Sequence, residues 1–218
     1  MNWKLPNQLT VGRMFLASGF FVLLGLYEQG TAAGVWLLNA AFVVYIVAGI
    51  TDVLDGYIAR KYHWTSAFGR IVDPFVDKVM TVGAFVMLAG ANFSHAGVGA
   101  GQYERDLPHW LTGGMFSAMQ AWMVVAILAR EFVVSAIRGY AESQGQKFPA
   151  TPAGKIKMFI QTVAICTILF QMANVSQPAW AVWVKVLLAW LAMIVTVVSG
   201  FYYVRRARKL LQGSDDDA

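Results

Sequence analysis

The stretch from Gly34 to Ile58, GVWLLNAAFVVYIVAGITDVLDGYI, combines the two features that decide the fold. Its first eighteen residues carry no charge, which approaches the roughly 20 apolar residues that a helix needs to cross the hydrocarbon core of a bilayer. Its last seven residues contain two aspartates, Asp52 and Asp55. The stretch therefore predicts a membrane-spanning helix that ends in an acidic segment.

Apolar runs of similar length recur along the whole chain. Of its 218 residues, 58% are hydrophobic and 13% are charged, about half the roughly 25% charged share of soluble domains. This composition excludes a water-soluble globule, and the single Cys166 excludes a disulfide scaffold. We therefore predict an all-α integral membrane bundle of six transmembrane helices, forming one domain over residues 1–218. The predicted spans are Leu9–Tyr27, Gly34–Ile58, Phe68–Ala91, Phe116–Tyr140, Gly154–Ala173 and Ala181–Val204.

The distribution of basic residues predicts the orientation. With six spans, fifteen of the seventeen Lys and Arg residues fall on one side of the membrane, and Arg105 and Lys185 fall on the other. Cytoplasmic loops carry such an excess, so both termini are expected in the cytoplasm. Residues 1–8 are expected to lie at the headgroup level, and residues 210–218 to form a flexible tail. The net charge of +5 is then explained by the membrane, and no nucleic acid partner is expected.

Four aspartates stand out against this apolar background. Asp52 and Asp55 are three residues apart, and Asp73 and Asp77 are four apart, so each pair projects from one face of a helix. The short link Lys61–Ala67 returns the chain at once, which brings both pairs to the same membrane surface. Four facing carboxylates repel one another unless cations lie between them. Oxygen ligands without Cys or His favour hard ions, so we expect Mg²⁺ or Mn²⁺, with ligands enough for two ions.

The residues between the two acidic pairs have the character of a nucleotide site. Gly56, Ala59 and Gly69 keep side-chain bulk away from the carboxylates, and Arg60 supplies a planar donor for phosphate oxygens. The alternative is that the acids cap helices or pair with nearby basic residues at the interface. That alternative is less favoured, because a charge at full membrane depth costs roughly 3 kcal/mol and such acids are usually functional.

Written out, the segment is Asp52-x2-Asp55-Gly56-x2-Ala59-Arg60-x8-Gly69-x3-Asp73-x3-Asp77, and it resembles the signature of the CDP-alcohol phosphotransferase family at every fixed position. The resemblance implies an enzyme in which an alcohol displaces CMP from a CDP-linked substrate. It implies that Asp52, Asp55 and Asp73 hold metal, and that Asp77 joins the metal site and acts as general base. A homodimer is also implied by the resemblance alone.

Basic residues of the later spans favour an acceptor that carries a phosphate. Arg130, Arg138, Lys155 and Lys157 add positive charge on the cytoplasmic side, where the phosphates of donor and acceptor need counter-charges beyond the metals. Glu131 is expected to orient Arg130.

Three further stretches are similar to the corresponding parts of phosphatidylglycerophosphate synthases, one branch of that family. They are Leu5–Thr10 with Arg13, Ala129–Glu131 with Arg138, and Gly154–Gln161, where Met158 replaces a Thr that is frequent in that branch. This similarity implies CDP-diacylglycerol as donor and sn-glycerol 3-phosphate as acceptor.

Other functions stay open at this point. Another member of the family would use inositol phosphate, serine or phosphatidylglycerol as acceptor. A cation transporter would place its acids near the bilayer midplane, often in two repeated halves, whereas these acids cluster at one surface and the chain shows no repeat. A lipid-binding scaffold without activity would not need four carboxylates at this spacing.

Overall fold

The computed structural model describes residues 5–62, 67–94, 107–145, 152–176 and 178–215, and this part of the chain is helical without a β-strand. A 3-10 turn, Ala91–Phe93, and a one-turn helix, His109–Thr112, connect the third and fourth long helices. The predicted all-α class is therefore confirmed. The long helices are α1 Leu5–Gly25, α2 Ala32–Tyr62, α3 Ala67–Leu88, α4 Ala121–Ser143, α5 Pro152–Asn174 and α6 Ala179–Asp215.

Three of these helices contain segments long and apolar enough to cross a membrane: Ala32–Leu54, Pro152–Asn174 and Ala179–Arg208. In α1 the apolar segment Thr10–Gly25 is shorter. Charged residues interrupt the apolar sequences of α3 and α4, and they include Asp77 and Arg130. The chain is an integral membrane protein, and the charges that make α3 and α4 less apolar include predicted site residues.

The six long helices pack in a closed order. Helix α1 contacts α2 and α3, α5 contacts α2 and α6, and α4 contacts α6 and α3. Helix α3 also contacts α5. Because α3 borders α1, α4 and α5, its acidic residues can meet side chains from three neighbouring helices.

Aromatic and aliphatic side chains fix α1 against α2 and α3. Phe20 on α1 is fully buried, and its ring centroid lies 5.5 Å from that of Tyr45 on α2. On α3, a Cβ added at Gly83 would lie 2.5 Å from the ring of Phe21, so only glycine allows this close approach. The contact places the first turns of α1 beside the acidic part of α3.

The bundle has chemically different ends. Trp190 on α6 packs against Trp110 and Trp122, with ring centroids 6.3 and 5.7 Å apart, and tryptophan is typical of membrane interfaces. Trp122 lies in the first turn of α4, whereas Arg138 lies sixteen residues further along the same helix, a rise of about 24 Å. The aromatic cluster and the basic residues of α4 therefore occupy opposite ends.

Several predicted boundaries differ from the structure. Residues 5–8, expected in an interfacial segment, form the start of α1, and residues 210–215, expected in a flexible tail, continue α6. The fourth span was predicted to begin at Phe116, but α4 begins at Ala121 because the preceding residues form a turn. In that turn Ala118 has a φ of 58°, and the Ser117 hydroxyl donates a 2.5 Å hydrogen bond to the Leu88 carbonyl.

Candidate active site

Helix α1 contributes two polar side chains to the acidic segments of α2 and α3. Arg13 is 3% exposed, and its Nη1 lies 2.5 Å from Oδ1 of Asp52. The hydroxyl of Thr10 donates a 2.6 Å hydrogen bond to Oδ1 of Asp73. Thr10 and Arg13 are three residues apart on one helix face. One face of α1 thus contacts one aspartate from each predicted pair.

A cavity of about 470 Å³ opens beside these contacts. Its polar lining includes Arg13, Asp52 and Asp77, and its apolar lining includes Ile46, Ile50 and Leu54 of α2. Those three apolar side chains are exposed on the surface of the bundle. The cavity therefore joins an acidic, polar end to a surface suited to acyl chains.

A second, smaller cavity of about 200 Å³ lies between α3, α4 and α5. Its lining is rich in cations: Lys78, Arg130, Arg138, Lys155 and Lys157, with Asp77 and Glu131 as the lining carboxylates. Positive charge therefore exceeds negative charge in this cavity. Its volume is below the roughly 300–1,000 Å³ of pockets for drug-sized ligands, so it suits a small anion.

Asp77 lines both cavities. It lies one turn after Asp73 on α3, and Pro74 between them leaves the helix continuous. Met158 and Thr81 also line both cavities. The predicted base therefore stands at the boundary between a large polar-apolar cavity and a small cationic one.

A buried ion network forms one wall of the cationic cavity. Glu131 is 7% exposed and its Oε1 binds Nη1 of Arg130 at 2.9 Å and also Nζ of Lys157. Nη2 of Arg130 donates a 3.0 Å hydrogen bond to Oγ of Ser199 on α6. A carboxylate that compensates two buried cations fixes both of them in place.

Some predicted residues lie outside the described side chains. Asp55, Ala59, Arg60 and Gly69 belong to α2 and α3, but nothing of their side-chain contacts is described, while Gly56 lies half-buried on α2. Among the described side chains, no three carboxylate, imidazole or thiol groups come close enough to hold a metal ion together. The oxygen donors of Asp52 and Asp77 share one cavity, and this donor chemistry fits a hard divalent ion.

Several site residues had no role assigned from the sequence. Lys78 was counted as a basic residue at a membrane surface, yet it lines the cationic cavity and donates a 2.6 Å hydrogen bond to Ser135. Ser199 and Tyr203 were treated as part of an apolar span. The sequence feature that could have identified Ser199 is its hydroxyl within an apolar span, because a buried hydroxyl requires a hydrogen-bond partner.

Nearly the whole sequence is similar to one known family of proteins. A family model described as CDP-alcohol phosphatidyltransferase matches residues 3–198, nearly the whole chain. The chain belongs to this family. As a CDP-alcohol phosphatidyltransferase it is a transferase embedded in a membrane, and the signature from Asp52 to Asp77 lies within the matched region.

Bacterial relatives of this phosphatidyltransferase cover it almost end to end. The CDP-diacylglycerol–glycerol-3-phosphate 3-phosphatidyltransferase of Bacillus subtilis is 28% identical, over 98% of this chain and 100% of the relative. Proteins with the same name from Cereibacter sphaeroides and Haemophilus influenzae are 27% and 28% identical over 97% and 95% of this chain. They are covered over 99% and 95% of their own lengths.

Proposed function

We propose that this enzyme transfers the phosphatidyl group of CDP-diacylglycerol to sn-glycerol 3-phosphate, giving phosphatidylglycerophosphate and CMP in phospholipid biosynthesis. The observation that carries the proposal is the position of Asp77 between two cavities of different size and charge. The names of the bacterial relatives give the same reaction.

The larger cavity suits the donor. CDP-diacylglycerol has a pyrophosphate and two acyl chains, and the cavity combines Asp52 and Asp77 with the apolar, exposed face of α2. Gly56, Ala59, Arg60 and Gly69 of the signature are assigned to the nucleotide and its phosphates. Asp52, Asp55, Asp73 and Asp77 would hold Mg²⁺ or Mn²⁺, in a site for two ions. When bound, the metal supplies charge stabilisation for the donor pyrophosphate and for the CMP that leaves.

The smaller cavity suits the acceptor. Arg130, Arg138, Lys155 and Lys157 line it, and their charges match a phosphate monoester. An acceptor held by its phosphate in this cavity presents its hydroxyl toward Asp77. Asp77 takes the hydroxyl proton, the oxygen forms a bond to the phosphorus that carries the diacylglycerol, and the bond from that phosphorus to CMP breaks.

The membrane arrangement follows from the same site. We assign six spans with both termini in the cytoplasm, so that the active site takes glycerol 3-phosphate from the cytoplasmic side of the bacterial inner membrane. A homodimer is part of the proposal, in line with the family resemblance. The cations that line the cavity at the end of α4 opposite to the aromatic cluster support this orientation.

Release of CMP from CDP-diacylglycerol, measured with a panel of acceptors, tests the proposal. The purified enzyme with Mg²⁺ or Mn²⁺ is expected to release CMP with glycerol 3-phosphate and not with serine, inositol phosphate or phosphatidylglycerol. Release with one of the other acceptors would keep the reaction class and replace the acceptor. Absence of release with every acceptor would contradict the proposed reaction.

A further inference from the structure

The guanidinium of Arg130 rests on a surface that α6 provides. Ser199 accepts a 3.0 Å hydrogen bond from Nη2 of Arg130, and the ring of Tyr203 lies 5.5 Å from the guanidinium carbon. Ser199 and Tyr203 are both 2% exposed. We call Ser199, Gly200 and Tyr203 the α6 platform.

Gly200 makes the close approach of Arg130 possible. A Cβ at this position would lie 2.7 Å from Cγ of Arg130, and 3.7 and 3.9 Å from its Cβ and Cδ. These atoms belong to the fixed stem of the side chain near the backbone of α4, so a methyl group cannot be accommodated by moving the far end alone. Any larger residue at position 200 would force Arg130 into another rotamer.

The platform is anchored in a second buried cluster that borders the cationic cavity. Tyr203 belongs to a separate buried cluster with Val134 and Ala141 of α4 and Ala207 of α6. The ring therefore has apolar packing in that cluster, while the guanidinium of Arg130 lies over its face. This arrangement is a cation–π contact in a buried setting, where such contacts are stronger than at a surface.

Two of the three guanidinium nitrogens of Arg130 bind neighbouring side chains, and N–H donors remain for a ligand. Nη1 binds Glu131 and Nη2 binds Ser199. Nε is buried and has no hydrogen-bond partner among the described residues. Both Arg130 and Tyr203 line the cationic cavity. A guanidinium held through both terminal nitrogens presents its remaining N–H groups in fixed directions.

We propose that the α6 platform positions Arg130 for the acceptor phosphate, so that Ser199 and Gly200 are positioning residues that set acceptor affinity from outside the signature. The proposal rests on the proposed function, because it takes the cationic cavity as the acceptor site. It predicts that substitutions at Ser199 and Gly200 weaken binding of the acceptor and leave binding of the donor unaffected.

The test compares Gly200→Ala with Gly19→Ala in the full-length enzyme. Gly19 lies on α1 and a Cβ there meets nothing within 4 Å, so it is a matched control for adding a methyl group to a helix. Gly200→Ala is expected to raise the KM for glycerol 3-phosphate by about tenfold or more, with the KM for CDP-diacylglycerol within about twofold of the parent. Gly19→Ala should match the parent in both.

A second pair of variants covers the case in which Gly200→Ala does not fold. Ser199→Ala removes the oxygen that accepts from Nη2, whereas Ser199→Thr keeps it, so only the alanine variant should raise the KM for glycerol 3-phosphate. Direct binding of glycerol 3-phosphate to the detergent-solubilised enzyme should weaken in parallel. Unchanged acceptor KM in folded Gly200→Ala or Ser199→Ala enzyme, or an equal rise for donor and acceptor, would overturn the role of the platform.

The acceptor that the parent enzyme uses shows whether a negative result contradicts the role of the platform or the proposed function. A parent that uses a different phosphorylated alcohol would correct the acceptor, and the same comparison with that alcohol then tests the platform. A parent that uses only an acceptor without a phosphate would overturn both. A parent active with glycerol 3-phosphate, with unaffected platform variants, would overturn the platform alone.

Discussion

Arg13 on α1 and Asp52 on α2 form an ion pair in which the two partners differ strongly in exposure. The side chain of Arg13 is 4% exposed and that of Asp52 is 39% exposed, with Nη1 and Oδ1 2.5 Å apart. Removing one partner of a buried pair leaves the other charge without compensation. The cost of breaking this pair therefore depends on which partner remains.

We predict that Asp52→Asn lowers the free energy of unfolding more than Arg13→Gln when both are measured without divalent metal. Asp52→Asn leaves a buried arginine without its counter-charge, which costs roughly 3–5 kcal/mol for a fully buried pair. Arg13→Gln leaves a carboxylate that water can reach, and exposed pairs contribute only about 1 kcal/mol or less. Thermal or denaturant unfolding in the presence of a chelator measures both variants. The reverse order would show that Arg13 has its main partner elsewhere.

The position of Asp77 between the two cavities separates its role from that of Asp52. Asp77→Asn is nearly isosteric but cannot take the proton from the hydroxyl of glycerol 3-phosphate, so kcat should fall by about 10²-fold or more. Metal-dependent binding of a CDP ligand should be largely retained. Turnover and CDP binding are measured on the same preparation, and turnover near the parent rate would remove Asp77 from the catalytic role.

Asp52→Asn and Asp55→Asn are the matched comparisons for Asp77→Asn. Each removes a carboxylate assigned to the metal and not to proton transfer, so each should weaken metal-dependent CDP binding together with turnover. If Asp77→Asn weakened CDP binding as much as these two variants, a purely metal-binding role would explain all three.

The sequence was sufficient for the class of fold and for the family, because both depend on patterns among residues close together in the sequence. The uncharged run of Gly34–Thr51 requires a helix in a membrane, and the signature places its acids at helical spacing. Contacts between helices distant in sequence were not predictable in the same way. Thr10 and Asp73 are sixty-three positions apart, and only the packing of α1 on α3 brings them together.

The split of the site into two cavities also depended on tertiary packing. The sequence grouped Arg130, Arg138, Lys155 and Lys157 by charge and by family resemblance, without showing that they line one cavity. The contribution of α6 was missed for a related reason. Gly200 and Ser199 appear as ordinary small residues of an apolar span, and their proximity to Arg130 follows from the packing of α4 on α6.

Substitutions in the cationic cavity should raise the KM for the acceptor more than the KM for the donor. Lys155→Gln and Arg138→Gln each remove one charge from the cavity lining, and loss of a charged contact to a phosphate costs about 1.5–3 kcal/mol. The KM for glycerol 3-phosphate should therefore rise by about 10-fold to 150-fold, with a smaller change for CDP-diacylglycerol.

Lys61→Gln is the control for these two variants. Lys61 is an exposed cation near the end of α2 and is not among the described residues that line the cationic cavity. It should leave both KM values near those of the parent. If Lys61→Gln raised the acceptor KM as much as Lys155→Gln, general surface charge would explain the effect.

Substitution of Glu131 should lower the free energy of unfolding more than substitution of one of the two cations that it binds. Glu131→Gln leaves Arg130 and Lys157 without their shared counter-charge, so the free energy of unfolding should fall by roughly 3–5 kcal/mol. Lys157→Met should cost less, because Glu131 keeps its contact with Arg130. Combining Glu131→Gln with Lys157→Met should recover part of the loss, as a double-mutant cycle in chemical denaturation measures. Additive losses would show that the two side chains are not coupled.

The proposed orientation can be tested by cysteine labelling in intact cells. Cys166 is replaced by alanine to give a background without cysteine, and Lys61→Cys and Trp110→Cys are then introduced singly at exposed positions. The basic end of the bundle is assigned to the cytoplasm, so a membrane-impermeant maleimide should label Trp110→Cys in intact cells. Lys61→Cys should react only after the membrane is permeabilised. Labelling of Lys61→Cys in intact cells would place the aspartates and the cationic cavity on the outer side, away from cytoplasmic glycerol 3-phosphate, and would contradict the proposed orientation and acceptor supply together.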